Sequence, residues 1–239
     1  MKLLAPTIFD PFPEVVAAMS MRDTAGANQL NMSRQQESKI ARTNRQQFAA
    51  EIGFDLEQLA APEQNHTDIV HVVQGEYHPH PGDGVITSEP GWLLGITVAD
   101  CVPLLLFDPL SGSYGAIHSG WRGSAQNIAG ITVQKMMREF SLRPENLYAW
   151  IGPSADKATY EVGYDVVSQF NPKYSTPLDA DRWLFDNKRV VHDQLLDNGL
   201  RLERIEISSL DTISNPELHS ERRDEETSGR MLAAIGITR

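Results

Sequence analysis

Residues 92–124 read WLLGITVADCVPLLLFDPLSGSYGAIHSGWRGS, and this stretch decides the fold class. Trp92–Val98 and Val102–Phe107 are continuous apolar runs of strand length, joined only by Ala99-Asp100-Cys101. Runs without apolar/polar alternation imply strands buried on both faces, which is the habit of layered architectures containing α and β elements. Asp108-Pro109-Leu110-Ser111-Gly112 predicts a turn, and Tyr114–His118 a further short strand. Beyond Ser119-Gly120-Trp121-Arg122-Gly123 a helix is expected from about Ser124. Ala129, Val133, Met136, Met137 and Phe140 then fall on one helical face.

Outward from this centre the pattern stays mixed. Ser33 to Ile52 has helical character, with Ser33 as the expected N-cap. Ile69, Val70, Val72 and Val73 predict a strand, and His78-Pro79-His80-Pro81-Gly82-Asp83-Gly84 a loop. Leu147–Ile151 and Arg204–Ser208 read as strands, whereas Tyr164–Phe170 and Val190–Asn198 read as helices, the second stopped by Gly199. The apolar tail, Gly229–Thr238, fits a strand or a helix equally well. The expected fold is α+β (mixed): a single layered α/β/β/α-type domain over residues 1–239, with mixed sheets flanked by helices.

Composition narrows the function classes. A chain of 239 residues hides roughly 70–75% of its unfolded surface, enough for a sizeable core. A net charge of −11 repels a phosphate backbone, so no nucleic-acid partner is expected. The apolar stretch near the N-terminus is interrupted by Pro6, Asp10, Pro11 and Pro13, and no run approaches a membrane span. The one cysteine cannot form an intramolecular disulfide, so a reducing, cytoplasmic setting is expected. No exposed amphipathic element demands a partner chain, and a monomer is compatible with the pattern.

Cys101 follows an acid between two buried strands, and a carboxylate placed there needs a metal, an arginine or several N–H donors. If the flanking strands pair, Cys101 and His118 approach each other. Gly120 and Gly123 permit positive φ or close backbone approach, and Arg122 beside a helix start is suited to a small anion. His66, taken alone, reads as an ordinary histidine, as do His71, His78, His80, His192 and His219.

The ordered elements Ala99-Asp100-Cys101-Val102-Pro103 and His118-Ser119-Gly120-Trp121-Arg122-Gly123 closely resemble the core of the YfiH-type family. Gln64-Asn65-His66, Asp83-Gly84-Val85-Ile86-Thr87, Ile151-Gly152-Pro153, Tyr160-Glu161-Val162-Gly163, Glu221-Arg222-Arg223-Asp224 and Ser228-Gly229-Arg230-Met231 extend the likeness, as does Asn44-Arg45. That family, also described as laccase-domain or multicopper polyphenol oxidases, is understood as purine nucleoside phosphorylases. The resemblance implies Zn²⁺ held by His66, Cys101 and His118, with a fourth position for water or substrate. It further implies purine nucleosides and phosphate as substrates, with adenosine deamination and methylthioadenosine phosphorolysis in the same pocket. Expected roles are proton handling for Asp83 and Asp100 beside Cys101, phosphate binding for Arg122, and substrate binding for Asn44 and Arg45. Met21-Arg22-Asp23-Thr24 lacks the paired glycines of the family's first loop, and Thr67 replaces a glycine after the first histidine.

Three other functions stay open at this level. Copper can occupy a His/Cys site in vitro, since Cu²⁺ outranks Zn²⁺ in raw affinity. Multicopper oxidation of phenols, however, needs more histidines than the seven here. A metal-free hydrolase would use Cys101 as nucleophile and His118 as base. A non-catalytic binding module is the third.

Overall fold

The computed structural model describes residues 1–23, 30–34 and 38–238. In chain order the strands begin with β1 (Leu3–Leu4), β2 (Val15–Ser20), β3 (Leu59–Ala60), β4 (Val70–Val72), β5 (Gly84–Thr87), β6 (Leu93–Val98) and β7 (Val102–Asp108). They continue with β8 (Ser113–Ser119), β9 (Tyr148–Ile151), β10 (Glu161–Val162), β11 (Ser175–Pro177), β12 (Trp183–Phe185), β13 (Ile205–Ile207) and β14 (Met231–Ile237). The helices are α1 (Lys39–Glu51), α2 (Trp121–Ala125), α3 (Ile128–Phe140), α4 (Tyr164–Val167), α5 (Asn187–Asp197) and α6 (Glu221–Asp224).

Two large mixed sheets carry the fold, with strand orders β1-β2-β14-β6-β3 and β13-β9-β7-β8-β5-β4. Successive side chains of a strand point to opposite faces, and here each face finds its own core. Leu94, Ile96 and Val98 of β6 meet Leu105 and Phe107 of β7, Tyr114 and Ala116 of β8, and Trp150 of β9 between the sheets. Leu104 and Leu106 point the other way, against Ile128, Val133 and Met136 of α3 and Val191 and Leu195 of α5. Leu93, Leu232 and Ala234 on the outer face of the first sheet pack against Phe48 and Ala49 of α1. The layer order is therefore helix, sheet, sheet, helix. Each fully buried large apolar side chain contributes roughly 1.5–3 kcal/mol.

The two apolar runs, Trp92–Val98 and Val102–Phe107, do not pair with each other. β6 lies between β14 and β3, and β7 lies between β9 and β8. Ala99-Asp100-Cys101 is thus a crossing from one sheet to the other. Asp100 makes the crossing in the left-handed region, at φ 79°, which short polar residues tolerate better than others.

Several boundaries differ from expectation. α1 begins at Lys39, capped by the Ser38 hydroxyl, which accepts the Ala41 N–H at 3.1 Å. Ser33 instead donates its N–H to the Asn31 side chain. Part of the helix expected from Ser33, residues 35–37, lies outside the described residues, as does Thr24. The helix expected from Ser124 starts earlier, at Trp121, and is broken by Asn127 at φ 63° before α3 begins. α4 is limited to Tyr164–Val167, α5 starts three residues earlier than expected under an Asp186 cap, and the tail is strand β14. The small sheet β10-β12-β11 was not expected.

Candidate active site

Three segments far apart in sequence meet beside the sheet crossing. β7 and β8 run antiparallel with Val102 opposite Ser119 and Pro103 opposite His118, so pairing alone brings Cys101 near His118. His66 reaches them from the loop before β4, at φ 60°. One ligand atom from each of His66, Cys101 and His118 lies within 4.8 Å of the others. Cys101 Sγ is 3.8 Å from His66 Nε2, and the two imidazole rings stand edge to face, 4.9 Å apart at 74°. Sulfur and nitrogen bound to one tetrahedral Zn²⁺ would lie about 3.6 Å apart, so the donors are already spaced for a single ion. Among the described residues this is the one cluster of its kind.

Gly120 forms one boundary of the cluster. A Cβ there would sit 2.8 Å from His66 Cδ2 and 3.0 Å from Cys101 Sγ. Its φ is −70°, so the glycine is required by close approach and not by backbone handedness.

A buried carboxylate, Asp83, holds the His118 imidazole and the loop that carries His66. His118 Nδ1 donates to Asp83 Oδ1 at 2.7 Å, which leaves Nε2 for the cluster. Asp83 Oδ2 accepts Thr67 N–H at 2.6 Å, Thr67 Oγ1 at 2.8 Å and Asn65 N–H at 3.2 Å, so the residues on either side of His66 are fixed as well. Thr67, the departure from the family's glycine, contributes a hydroxyl bond that glycine cannot. Burial acts against charge on Asp83, but the His118 hydrogen bond and charge, with the Thr67 donors, hold its carboxyl at about 2. Burial likewise opposes the His118 imidazolium, and Cys101 with Asp83 overrides it, raising the group to about 9. Burial pushes the Cys101 thiol up, whereas His118 first and His66 next bring it down to about 6. At neutral pH the protein's own charges favour a thiolate beside an imidazolium.

Asp100 has no role as a lone carboxylate. Its Oδ1 accepts from the Thr212 hydroxyl at 2.6 Å, and its Oδ2 accepts from the Ser220 hydroxyl at 3.1 Å and the Arg222 N–H at 2.7 Å. Hydroxyl and N–H donors therefore answer the question the sequence posed. A cavity of about 560 Å³ opens beside the cluster, lined also by Gln64, Trp121, Arg122, Tyr160, Arg222 and Arg230. Arg122 lies in α2, its guanidinium 4.2 Å from the centre of the Trp121 ring. Burial pushes the Tyr160 phenol upward.

Asn44 and Arg45 are not brought to this cavity. Both are buried in α1, where Asn44 donates to the Asn31 carbonyl and Arg45 to those of Met32 and Ser33. Arg45 instead lines a neighbouring cavity with Arg34 and Arg42, and the two cavities share Gln64 and Thr97. His78 and His80 are exposed, His71 bonds the Pro81 carbonyl, and His192 bonds Asp193. Sequence reasoning missed the contributions of Thr67 and Tyr160, and of Arg222 and Arg230. Tyr160, Arg222 and Arg230 stood in quoted motifs, but nothing in the residues placed those segments at this cavity.

The family model described as multi-copper polyphenol oxidoreductase laccase matches residues 18–238. The chain belongs to this family. A Deinococcus radiodurans protein named purine nucleoside phosphorylase is 35% identical over 202 residues, covering 82% of this chain and 77% of its own. Bacillus subtilis purine nucleoside phosphorylase YlmD is 32% identical over 214 residues, covering 81% and 76%. Among solved structures, YlmD from Geobacillus stearothermophilus superposes with a TM-score of 0.89 at 30% identity, covering 96% of this chain and 94% of that one. The Bacillus licheniformis hypothetical protein YfiH superposes at 0.91 with 26% identity, covering 99% and 96%. Membership of this laccase-like family and the mixed helix–sheet–sheet–helix fold agree with the expectation from the motifs.

Proposed function

We propose that this laccase-family chain is a purine nucleoside phosphorylase that holds one Zn²⁺ among His66, Cys101 and His118. The observation that carries the reading is the convergence of these three donors within 4.8 Å beside an open cavity, with Asp83 fixing the His118 imidazole and the loop that carries His66. The relatives' name supports the substrate class. Two imidazoles and a thiolate suit Zn²⁺, which, when bound with a fourth position open, supplies a Lewis acid for water or a substrate atom.

The chain's own residues supply the rest. Asp83 keeps the proton of His118 on Nδ1 and presents Nε2 to the cluster, as an outer carboxylate does for a ligating histidine. Cys101, as thiolate, offsets part of a cation's charge. Asp83 and Asp100 commit their oxygens to bonds within the protein, and we assign both to positioning instead of proton transfer. In phosphorolysis a phosphate oxygen bonds C1′ of the ribose while the C1′–N9 bond breaks. The electron pair leaves with the purine, which takes a proton from solvent. We assign Arg122, in the cavity and stacked on Trp121, to hold the phosphate. Arg122→Ala should raise the phosphate KM far more than the nucleoside KM, and equal effects on both would remove Arg122 from that role.

Adenosine deamination and methylthioadenosine phosphorolysis belong to the same proposal. Among the described residues no helix is long and apolar enough to cross a membrane. We place the protein in the cytoplasm as a reducing setting that preserves the Cys101 thiol. Incubation of the zinc-loaded protein with adenosine, with and without phosphate, tests the reading. Adenine formed only with phosphate marks phosphorolysis, inosine marks deamination, and hypoxanthine marks both. Absence of phosphate-dependent base release from adenosine, inosine, guanosine and methylthioadenosine sinks it.

One observation favours a second reading. A thiol held at about 6 beside an imidazolium is also the equipment of a cysteine nucleophile. Equimolar zinc together with loss of activity on chelation dismisses it. Oxygen uptake with added copper and a phenol tests the oxidase named by the family model.

A further inference from the structure

Arg122 and Arg222 reach one cavity from two separate elements, α2 and α6. Each guanidinium lies over an aromatic ring, Arg122 at 4.2 Å from Trp121 and Arg222 at 5.5 Å from Tyr160. Arg222 is tied at two further points: its Nη1 donates to the Glu161 carbonyl at 2.8 Å, and its backbone N–H donates to Asp100 Oδ2 at 2.7 Å. Asp100 immediately precedes Cys101. A single residue thus joins the cluster thiol to the segment that carries Arg222.

The charges of the cavity are unevenly matched. Arg230 is paired with Glu221 at 2.8 Å. Among the described residues, neither Arg122 nor Arg222 forms an ion pair with a carboxylate. Glu225 is the other glutamate lining the cavity. In a chain where acids outnumber bases 32 to 21, two arginines in one cavity without such a partner are expected to find their counter-charge in a ligand. A guanidinium offers paired N–H donors matched to tetrahedral oxyanions, and stacking on a ring reduces the freedom lost on binding.

We propose that Arg222 acts with Arg122 as a two-guanidinium subsite for inorganic phosphate, and that Asp100 is the positioning residue that holds Arg222 beside the cluster. The proposal rests on the phosphorylase reading for its substrate and on the charge pattern for its site. The shared chemistry, a tetrahedral oxyanion, would equally describe the phosphate of a phosphorylated nucleoside, so both sources enter the test.

Inorganic phosphate and adenosine 5′-monophosphate are titrated calorimetrically into zinc-loaded wild type, Arg222→Gln, Arg222→Lys and, as control, Arg138→Gln on the exposed end of α3. In parallel, phenylglyoxal labelling of the wild type with and without phosphate is read by peptide mass spectrometry. Arg222→Gln should weaken phosphate about tenfold or more, the size of one lost charge-assisted hydrogen bond. Arg222→Lys should weaken it less, and the control not at all. Phosphate should protect Arg122 and Arg222 from labelling but not Arg138. Unchanged phosphate affinity in either folded Arg222 variant, or no protection of Arg222 in the wild type, overturns the proposal. Dependence on Arg222 for the monophosphate alone overturns the assignment to inorganic phosphate. If phosphate binding falls as expected while no nucleoside is cleaved, the subsite stands and the phosphorylase reading falls.

Discussion

Replacing Asp83 by Asn removes one oxygen and one charge from the point where the His118 imidazole and the His66 loop are anchored. The native carboxylate accepts from His118 Nδ1, Thr67 N, Thr67 Oγ1 and Asn65 N. An amide that turns its oxygen to His118 sets its own N–H groups against the Thr67 N–H, donor against donor. The carboxyl is held at about 2 against an ordinary 3.8, and at 1.36 kcal/mol per unit this is worth roughly 2–3 kcal/mol. A depressed carboxyl stabilises the fold above its ordinary pKa and loses that contribution as pH falls through about 2, so the whole amount is at stake at neutral pH. Urea unfolding should show a loss of about 2–3 kcal/mol, and the melting temperature should drop by roughly 5–10 °C for a chain of this size. Zinc affinity, measured by competition with a chromophoric chelator, should fall about 10- to 100-fold, as for other second partners of ligating histidines. Lost stability with unchanged zinc affinity would refute the claim that Asp83 orients the cluster.

Other perturbations address separate links. Gly120→Ala places a methyl against His66 and Cys101 Sγ, and should cost about 1–3 kcal/mol and reduce the zinc content of purified protein; stoichiometric zinc in this variant would contradict the close approach. Zinc binding at pH 7.5 should release about one proton, because His118, raised to about 9, is still protonated while Cys101, at about 6, is not. The stabilisation from the imidazolium is complete below the ordinary histidine value and is lost as pH rises through about 9, so the release should vanish near pH 10; calorimetry in buffers of different ionisation enthalpy reads it, and equal release at both pH values would reject it. Thr67→Val deletes the hydroxyl bond to Asp83 and the longer one that the hydroxyl accepts from the Ile69 N–H, and should cost about 1 kcal/mol in chemical denaturation, with a value near zero showing that the backbone N–H of Thr67 suffices.

The strands around the site were legible because burial on two faces leaves an uninterrupted apolar run, and Leu104 and Leu106 do face a different core from Leu105 and Phe107. Which sheet each run joins was not legible, since a fully apolar strand carries no mark of its partner. β14 was ambiguous for the same reason: Met231–Ile237 becomes a strand through its register with β2 and β6. The short α2 was hidden because Gly123 and Ser124 are poor helix formers, and tertiary contact overrides that preference. At the site, the apposition of Cys101 and His118 followed from strand pairing, whereas His66 entered only through the family resemblance. Nothing local to His66 signals its partner, because the carboxylate that fixes its loop comes from Asp83.

The same geometry explains why the site lies where the chain changes sheets. His66 and Asp100 both occupy left-handed backbone conformations, each costing of order 1–3 kcal/mol for a residue other than glycine. Such conformations persist only where surrounding bonds over-determine them. Asp83 supplies those bonds around His66, and at Asp100 they come from Thr212, Ser220, Arg222 and the Ala155 N–H, which donates to its carbonyl at 2.9 Å. A site assembled this way holds its donors in place before any ligand arrives, so binding need not order the loops that carry them. Breaking the Asp100 clamp should therefore disturb Cys101 and Arg222 together. The Asp100→Asn variant, which keeps a side chain tolerant of this backbone, should lose zinc and phosphate affinity in parallel; loss of one without the other would mean that the two halves of the site are positioned independently.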